Sequence, residues 1–383
     1  MAFELIRVAA DGVLYEGWES IQISWERGRP VIQFVLTTTE IGPPGVVPAF
    51  DKWNFPPGTQ IDVFAGNDLL ISGFVLNYAP TYDADQHSIV VTGVTGGYIF
   101  GYSSVDPVKF QEGRFDKITD SELAQRFAGA ACTSIQDYTT PDLLPWFQIR
   151  QGATYYQEMM RIYQQRGKTI MATRTGGMAV VDESSWFMNV QASLVQGLNI
   201  LKASASLDAL RNQDLFVKGQ NPIGTNLSEH IQPEASLLAG GGMSCVKRVI
   251  VDQAVTTKTL AMRRVLWEAM RVNYAKMQAV ITTPGWRHQG GGFWSVNEGV
   301  YVLSPWLQID CTMAIWKVVY TQNDKVGTIT EITLVNPAGT PIQDPSSDQF
   351  IPGAQNWECN SGSVWHEWVP GAGLGSPRVP QAQ

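Results

Sequence analysis

The chain has 383 residues, 44% of them hydrophobic, which is enough for about two or three domains with a sizeable core and excludes global disorder. Its formal net charge of −8 excludes holding the nucleic-acid backbone as a main task, because that task needs a basic surface. Only 16% of the residues are charged, while Trp occurs 13 times. This composition is typical either of surfaces buried against partners or of aromatic-filled cores, and both interpretations stay open.

Short strands fill the first hundred residues. Apolar and polar residues alternate in three runs over Gln60–Gly93, which predicts a meander of half-buried strands. Turns separate the runs at Ala65–Asp68, where glycine and asparagine supply positive φ, and at 83–86. Three earlier strands are predicted at Phe3–Val8, Gly17–Ser24 and Val31–Thr37. A meander that holds no catalytic constellation indicates a building block of an assembly.

A compact α+β unit is predicted next. Thr119–Glu122 has the capping-box pattern of a helix start, and a second helix is predicted from Thr154, with Gln157 in the reciprocal position. Gly167 ends the second helix, because glycine readily adopts the left-handed conformation after a helix C-terminus. A hairpin follows, with strands at Lys168–Ala172 and Met178–Val181.

Strands return after this unit, around one long helix. The helix is predicted over Thr257–Met277, and its apolar residues lie near one face. Those residues are Met262, Leu266, Ala269, Met270 and Met277. Strands are predicted at 199–219, 246–251, 278–283 and 299–334, with a loop at 221–242.

The two ends of the chain resemble each other. Ala314–Leu334 parallels Ile71–Val94, because each has an apolar strand that ends near a tyrosine, then a polar turn, then an alternating strand. The tyrosines are Tyr78 and Tyr320. This weak internal repeat predicts two copies of one barrel type.

The predicted fold class is therefore mainly β with α+β insertions, with two similar small antiparallel β-barrels in each chain. The first barrel is assigned to 1–100 and the α+β domain to 101–190. The second barrel is discontinuous, at 191–252 and 295–340, and a helix-containing insertion occupies 253–294. Residues 341–383 form a C-terminal tail rich in Gly, Pro and Trp.

No catalytic, cofactor-binding or metal-binding residue is predicted. The four histidines do not pair at metal-ligand spacing; they are His87, His230, His288 and His366. The cysteines form no CxxC pair, so free buried thiols are favoured over zinc ligands and disulfides. They are Cys132, Cys245, Cys311 and Cys359.

Two charged clusters each have a functional and a structural interpretation. Asp83 and Asp85 flank a hairpin turn, where acceptance from the local backbone is favoured over cation binding or glycoside hydrolysis. The basic residues of the long helix could contact phosphate, but a solvated face or pairing with a neighbouring subunit is favoured. They are Lys258, Arg263, Arg264, Arg271 and Lys276.

The C-terminal tail contains three candidate docking residues. Trp357, Trp365 and Trp368 lie among Gly and Pro residues, where aromatic side chains can anchor a flexible segment in a partner's groove. Packing of these rings back onto their own domain is an equal alternative.

The order of these segments resembles that of the Mu-type phage baseplate hub proteins over roughly residues 5–340. No single motif carries the resemblance; the collinear order over most of the chain does. The matching segments are Ala10–Trp18, Leu70–Gly73, Tyr82–Ala84, His87–Ser88, Val91–Gly93, Thr154–Gly167, Phe216–Gly219, the helix ending near Lys276, Gly285–Trp286 and Gly292–Ser295. The glycine-rich loop at 239–242 and the tail depart from the family pattern.

The resemblance implies a structural protein of a contractile phage tail, without catalytic residues or cofactors. It implies a homotrimer whose two barrels per chain form a pseudo-hexameric ring between the hexameric tail tube and the trimeric central spike. Further implied partners are the baseplate wedge proteins, and DNA that passes through the lumen without specific binding. The expected location is the virion, after synthesis in the host cytoplasm, because no signal peptide or membrane span is predicted.

Two other functions stay open. One is a tail-associated cell-wall hydrolase, although no stretch is free to form the extra catalytic domain. The other is the spike-base protein of a related contractile injection system, which would usually carry a C-terminal spike β-helix that this tail lacks.

Overall fold

A computed structural model describes residues 4–10, 12–38, 55–83, 87–110, 112–208, 214–219, 233–237, 246–337, 342–343 and 350–351. Strands make up 51% and helices 16%, which confirms the mainly β prediction. The predicted docking residues Trp357, Trp365 and Trp368 lie outside the described residues.

The first β unit consists of seven strands with alternating buried and exposed side chains. Buried Ile21, Ile23 and Trp25 of β3, for example, alternate with more exposed polar residues. The strands are β1 (Ile6–Ala10), β2 (Val13–Tyr15), β3 (Ser20–Glu26), β4 (Gln33–Thr38), β5 (Gln60–Ala65), β6 (Asp68–Tyr82) and β7 (His87–Val94). The predicted meander is β5, β6 and β7, and Gly66 provides the positive φ, +63°, of its first turn.

The α+β region follows the first β unit. Thr154 and Gln157 form the predicted capping box, while Thr119 accepts a hydrogen bond from the Glu122 N–H. Gly167, with φ +72°, follows the second of these helices, and the predicted hairpin is present. The elements are α1 (Gly97–Tyr102), β8 (Arg114–Thr119), α2 (Asp120–Ala130), β9 (Ile135–Asp137), β10 (Leu143–Gln148), α3 (Tyr155–Tyr163), β11 (Lys168–Ala172) and β12 (Met178–Asp182).

The remaining elements contain a second β unit. It consists of β13 (Phe187–Val195), β14 (Lys202–Leu207), β18 (Met277–Pro284), β19 (Glu298–Ser304), β20 (Ile309–Asn323) and β21 (Gly327–Val335). Between β14 and β18 lie β15 (Asp214–Lys218), β16 (Glu234–Leu237), β17 (Lys247–Val251) and α4 (Lys258–Lys276). A short pair, β22 (Ile342–Gln343) and β23 (Phe350–Ile351), follows β21.

The two β units have the same strand order, which extends the internal repeat seen in the sequence. The first unit is ordered β3-β4-β7-β6-β5-β1 and the second β14-β18-β21-β20-β19-β13. One difference is that β1 is antiparallel to β5 whereas β13 is parallel to β19. Both long strands have 15 residues, and both shift register by one residue, between Val75 and Asn77 in β6 and between Ile315 and Lys317 in β20. These matched bulges align the two units residue by residue.

The two β units, which correspond to the two predicted barrels, are joined in one sheet. Among the described strands no closed barrel is found, and antiparallel pairing of β20 with β3 joins both units in one 13-stranded sheet. The reason is the length of β20, which pairs with β19 through its N-terminal part and with β3 through its C-terminal part. One hydrophobic core runs through both units.

The strands between residues 191 and 294 belong to two sheets. β15, β16 and β17, within the range assigned to the second barrel, form a separate three-stranded sheet. β18, within the range assigned to the helical insertion, pairs with β14 and β21 of the second β unit.

The long helix α4 is buried on two sides rather than on one. Its buried side chains on the first side pack on the three-stranded sheet, and they are Ala261, Val265, Ala269 and Val272. The other side places Trp267, Met270 and Tyr274 in the core of the α+β region. Of the predicted apolar stripe, Ala269 and Met270 are buried, whereas Met262 and Leu266 are only half-buried.

Candidate assembly surfaces

The two β units are joined where β20 pairs with β3, and this place is called the joint. The hairpin of β11 and β12 lies against the joint. The Trp25 Nε1 of β3 donates to the Ala172 carbonyl at 3.0 Å, and the Ala172 N–H donates to the Arg29 carbonyl at 3.0 Å. At the hairpin tip the Ser72 N–H of β6 donates to the Arg174 carbonyl at 2.8 Å. The α+β region is thereby fixed to the first β unit at two places.

Arg174 fixes the same hairpin to the second β unit. Its Nη2 donates to the Trp294 carbonyl at 3.1 Å and to Ser295 Oγ at 2.6 Å. The guanidinium also lies 5.4 Å from the Trp25 ring centre and 5.0 Å from that of Phe293, within cation–π range. The backbone and side chain of Arg174 thus contact β strands of both units.

A loop of the second β unit closes over the end of the first. The Arg287 Nε lies 2.8 Å from a carboxylate oxygen of Glu4, and its Nη1 lies 2.7 Å from one of Asp68. Trp286 is fully buried beneath the loop, and its Nε1 donates to the carbonyls of Thr321 and Ile329 at 3.2 and 3.1 Å. The contact between the two units is therefore packed in the same way as the interior of a single domain.

A buried charged cluster lies where β3, the α+β region and α4 meet. Arg27 is 1% exposed, donates to the carbonyls of Asp182 and Glu183 at 2.9 Å each, and stacks 3.8 Å from the Trp186 ring centre. Burial lowers the pKa of Arg27, and the charge of Glu183 opposes that shift. Arg271 of α4 lies 3.5 Å from the Glu183 carboxylate.

Three of the five basic residues of α4 pair within the chain, so the expectation of a solvated face or a neighbouring subunit is wrong for the buried Arg264 and the paired Arg271. Arg263 lies 3.3 Å from Asp142, and Arg271 pairs with Glu183. Arg264 is 7% exposed and lies 2.6 Å from Glu268 in the next turn. Because Asp142 and Glu183 lie more than 80 residues away in the sequence, helical spacing could not identify them.

Two strands, β6 and β14, each have an edge along which no described strand pairs. β5 pairs with β6 only as far as Phe74, so residues 76–82 of β6 have a described strand, β7, on one side only. At that end of β6, Pro80 is exposed and Tyr82 is 85% exposed. β14 has β18 on one side and no described strand on the other, and its Leu207 is 52% exposed. Sequence periodicity finds such strands but not their open edges.

A further exposed apolar surface lies at one end of the second β unit. Gln196 Oε1 accepts hydrogen bonds from Ser304 Oγ at 2.8 Å and from the Trp306 N–H at 3.2 Å, which brings two turns together. Leu198 is 75% and Trp306 86% exposed on these turns. The corresponding turn of the first unit, Ala65–Asp68, carries no large apolar side chain.

The remaining predicted residues are the histidines, the cysteines and the Asp83 and Asp85 pair. Asp85, His230, His366, Cys245 and Cys359 lie outside the described residues, as does the tip of the 83–86 turn. Cys132 is free and exposed, whereas Cys311 is buried and disulfide-bonded, so the expectation of free buried thiols is wrong for Cys311. In the described ranges no group of three or more metal-ligating side chains occurs. No helix among the described residues is long and apolar enough to span a membrane.

Two family models match the chain, one at each β unit. Residues 5–94 match the N-terminal domain of Mu phage baseplate assembly protein GpP-like proteins, and residues 256–342 match the fourth domain of Mu phage baseplate assembly protein GpP. These two regions of the chain are therefore similar to domains of the Mu phage baseplate assembly proteins. The expected resemblance to Mu-type baseplate proteins is thereby confirmed.

Solved structures resemble this chain along most of its length. The 43 kDa tail protein of prophage MuSo2 from Shewanella oneidensis is 24% identical, with a TM-score of 0.75 over 87% of this chain and 98% of that one. A tail protein from Neisseria meningitidis MC58 is 13% identical, with a TM-score of 0.70 over 87% and 97%. The type VI secretion component c3393 of E. coli is 7% identical, with a TM-score of 0.53 over 91% and 79%. No curated protein sequence matches.

Proposed function

We propose that this baseplate protein is the hub of a contractile phage tail. In the proposal, three copies form a ring that joins the hexameric tail tube to the trimeric central spike. The observation that carries it is the repeated strand order of the two β units, because three copies then present six similar units to the tube. The two matching family domains, 5–94 and 256–342, support it, since each includes strands of one unit.

The proposed role is structural, with no catalytic step. Its partners are the central spike, the tail tube or a tube-proximal baseplate protein, and the baseplate wedge proteins. The wedge proteins surround the ring, and the protein reaches the virion after synthesis in the host cytoplasm. The tail residues Trp357, Trp365 and Trp368 remain candidates for docking one of these partners.

DNA passes through the lumen of the proposed ring without specific binding. The net charge of −8 supports this part of the proposal, because a lining of Lys and Arg would retain phosphates. An acidic or neutral lining is therefore expected in the assembled ring, and a predominantly basic one would contradict the proposal.

Mass and symmetry in solution test the proposal. Light scattering is expected to give the mass of three chains for the protein alone, or the mass of three chains plus the spike when the spike partner is present. Negative-stain views down the particle axis should show a ring with six similar lobes. A protein that stays monomeric at high concentration with the spike protein present would contradict the hub role.

Two alternatives are separated by simple experiments. A cell-wall hydrolase would clear a peptidoglycan zymogram, whereas the proposed hub should leave it unchanged. The spike-base protein of a related injection system shares the fold, as the likeness to c3393 indicates. That alternative predicts attachment to a secretion tube in place of a phage tail tube.

A further inference from the structure

The joint between the two β units can be compared with a second joint, between equivalent strands of two copies of the chain. In the internal joint, Lys317–Asn323 of β20 pairs antiparallel with β3, with Val318 opposite Trp25 and Gln322 opposite Ile21. The matched bulges place residues 77–83 of the first unit where 317–323 lie in the second. The pairing of β14 with β18 corresponds to that of β3 with β4, so β14 takes the place of β3.

Both strands of the internal joint are buried, whereas the corresponding strands are more exposed, with Tyr78 and Ala203 half-buried against the core. In β20, Val318, Tyr320 and Gln322 are at most 5% exposed, and in β3 Ile21, Ile23 and Trp25 are at most 6% exposed. Their counterparts in β6 are Tyr78, Pro80 and Tyr82, and those in β14 are Ala203, Ala205 and Leu207. Pro80 and Ala205 are exposed, Tyr82 is 85% and Leu207 52% exposed. Positions that are buried in the internal joint are thus exposed at Pro80, Tyr82, Ala205 and Leu207, where the second joint would form.

We infer that residues 77–82 of β6 pair antiparallel with β14 of a second copy of this chain. The equivalence fixes the register, with Tyr78 opposite Leu207, Pro80 opposite Ala205 and Tyr82 opposite Ala203 of the second copy. The inference rests on the proposed ring and names the contact that closes it. Because the two edges differ, the contact is head-to-tail, and a ring results when the rotation closes.

Pro80 is compatible with this pairing. The Arg27 N–H donates to the Trp316 carbonyl at 2.9 Å, so backbone groups at alternate residues from Trp316, including Tyr320, face β3. Pro80 corresponds to Tyr320, which places its nitrogen on the open edge and leaves the ladder between β6 and β7 intact. The joint between copies therefore contains one hydrogen bond fewer than the internal joint.

Cysteine cross-linking tests the pairing and its register. In a Cys132→Ser background, Thr81→Cys with Ser204→Cys places two thiols directly opposite each other across the proposed joint. Oxidation should give covalent dimers and trimers on a denaturing gel, and the ladder should stop at three chains. The matched control, Thr81→Cys with Ala203→Cys, is shifted by one residue and should cross-link much less.

A second pair of variants tests the edges without new cysteines. Tyr82→Lys or Leu207→Lys would bury an unpaired charge in the joint and should reduce the solution mass, while the far-UV circular dichroism stays that of a folded chain. Val108→Lys, at a 74% exposed position in the α+β region and outside every candidate assembly surface, should leave both unchanged.

The failures of this inference and of the hub proposal are distinguishable. A trimer that does not cross-link, or that cross-links equally in the shifted pair, would overturn the strand pairing and leave the ring standing. A monomer in every assay would overturn both.

Discussion

The Nζ of Lys168 lies 2.7 Å from Oδ2 of Asp120, and neither side chain is more than 3% exposed. Lys168 also donates to the Thr140 carbonyl at 2.7 Å. The other oxygen of Asp120 accepts from the backbone N–H groups of Ser121 and Asp142 at 2.9 and 2.8 Å. The pair thus ties β11 to the start of α2 with the acid fully hydrogen-bonded.

Removing one partner of this pair should destabilise the protein strongly. Lys168→Met leaves the Asp120 carboxylate buried without its counter-charge, at an expected cost of about 3–5 kcal/mol in the free energy of unfolding. The matched control is Arg114→Met, which breaks a pair with Asp116 in which both side chains are more than half exposed and should cost about 0–1 kcal/mol. Urea unfolding of both variants measures the difference, and equal midpoints would contradict the prediction.

Two helical glycines should respond to alanine in opposite directions. A Cβ on Gly97 of α1 would lie 1.7 Å from the Pro30 carbonyl oxygen, so Gly97→Ala should destabilise by roughly 1–3 kcal/mol or more. A Cβ on Gly129 of α2 would meet nothing within 4 Å. Gly129→Ala should therefore raise the melting temperature, with a gain of about 0.5–1 kcal/mol from helix propensity. Differential scanning calorimetry checks both, and a stable Gly97→Ala variant would show that α1 can move off Pro30.

The thermal stability of the second β unit should fall as the pH drops below about 6.5, the usual pKa of histidine. Burial, helped by the charge of Arg174, lowers the pKa of His288. Its Nδ1 accepts from the Gly290 N–H at 3.1 Å, and its Nε2 lies 3.3 Å from the Asn189 amide nitrogen. The unfolded chain therefore binds the proton more readily, and stability present above pH 6.5 is lost as the pH falls towards the folded pKa.

Glu298, which also contacts Asn189, acts in the opposite direction. Burial raises its pKa, so the folded state binds this proton more readily and gains stability as the pH falls. Melting temperatures at pH 7.5, 6.5 and 5.5 should fall less steeply for His288→Gln and more steeply for Glu298→Gln than for the wild type. Identical slopes in the three proteins would contradict both assignments.

Deleting residues 353–383 should separate partner docking from self-packing of the tail. If Trp357, Trp365 and Trp368 anchor a partner, each large ring fully buried on assembly contributes roughly 1.5–3 kcal/mol. The truncated protein should then melt like the full chain but retain less spike protein in a pull-down. An unchanged pull-down with a much lower melting temperature would mean that the tail packs on its own domain.

Signals carried by residues close together in the sequence correctly predicted the strands and helices in which those residues lie. The alternation in β5 to β7, the capping box of Thr154 and Gln157, and the glycine after α3 each involve residues near in sequence, and all are present. The predicted repeat reflects a strand order that the two β units share.

Long-range partners were not predictable in the same way. β20 pairs with β3 roughly 300 residues away, so two predicted barrels become one sheet. α4 was expected to bury one stripe, but layers on both of its sides bury Val265 and Trp267 alike. Arg271 was expected on a surface, because its partner Glu183 is distant in the sequence. An open strand edge could not be predicted either, because it depends on which distant strands do not pair there.

The pairing of β3 with β20 also has a consequence during synthesis. β3 leaves the ribosome early, but its neighbour on one side is made about 300 residues later, roughly 15–60 s at usual bacterial elongation rates of about 5–20 residues per second. During that interval Ile21, Ile23 and Trp25 belong to a nascent sheet with an uncovered apolar edge. Premature association of neighbouring nascent chains through this edge is therefore a misassembly hazard, and completion of the C-terminal strands removes it.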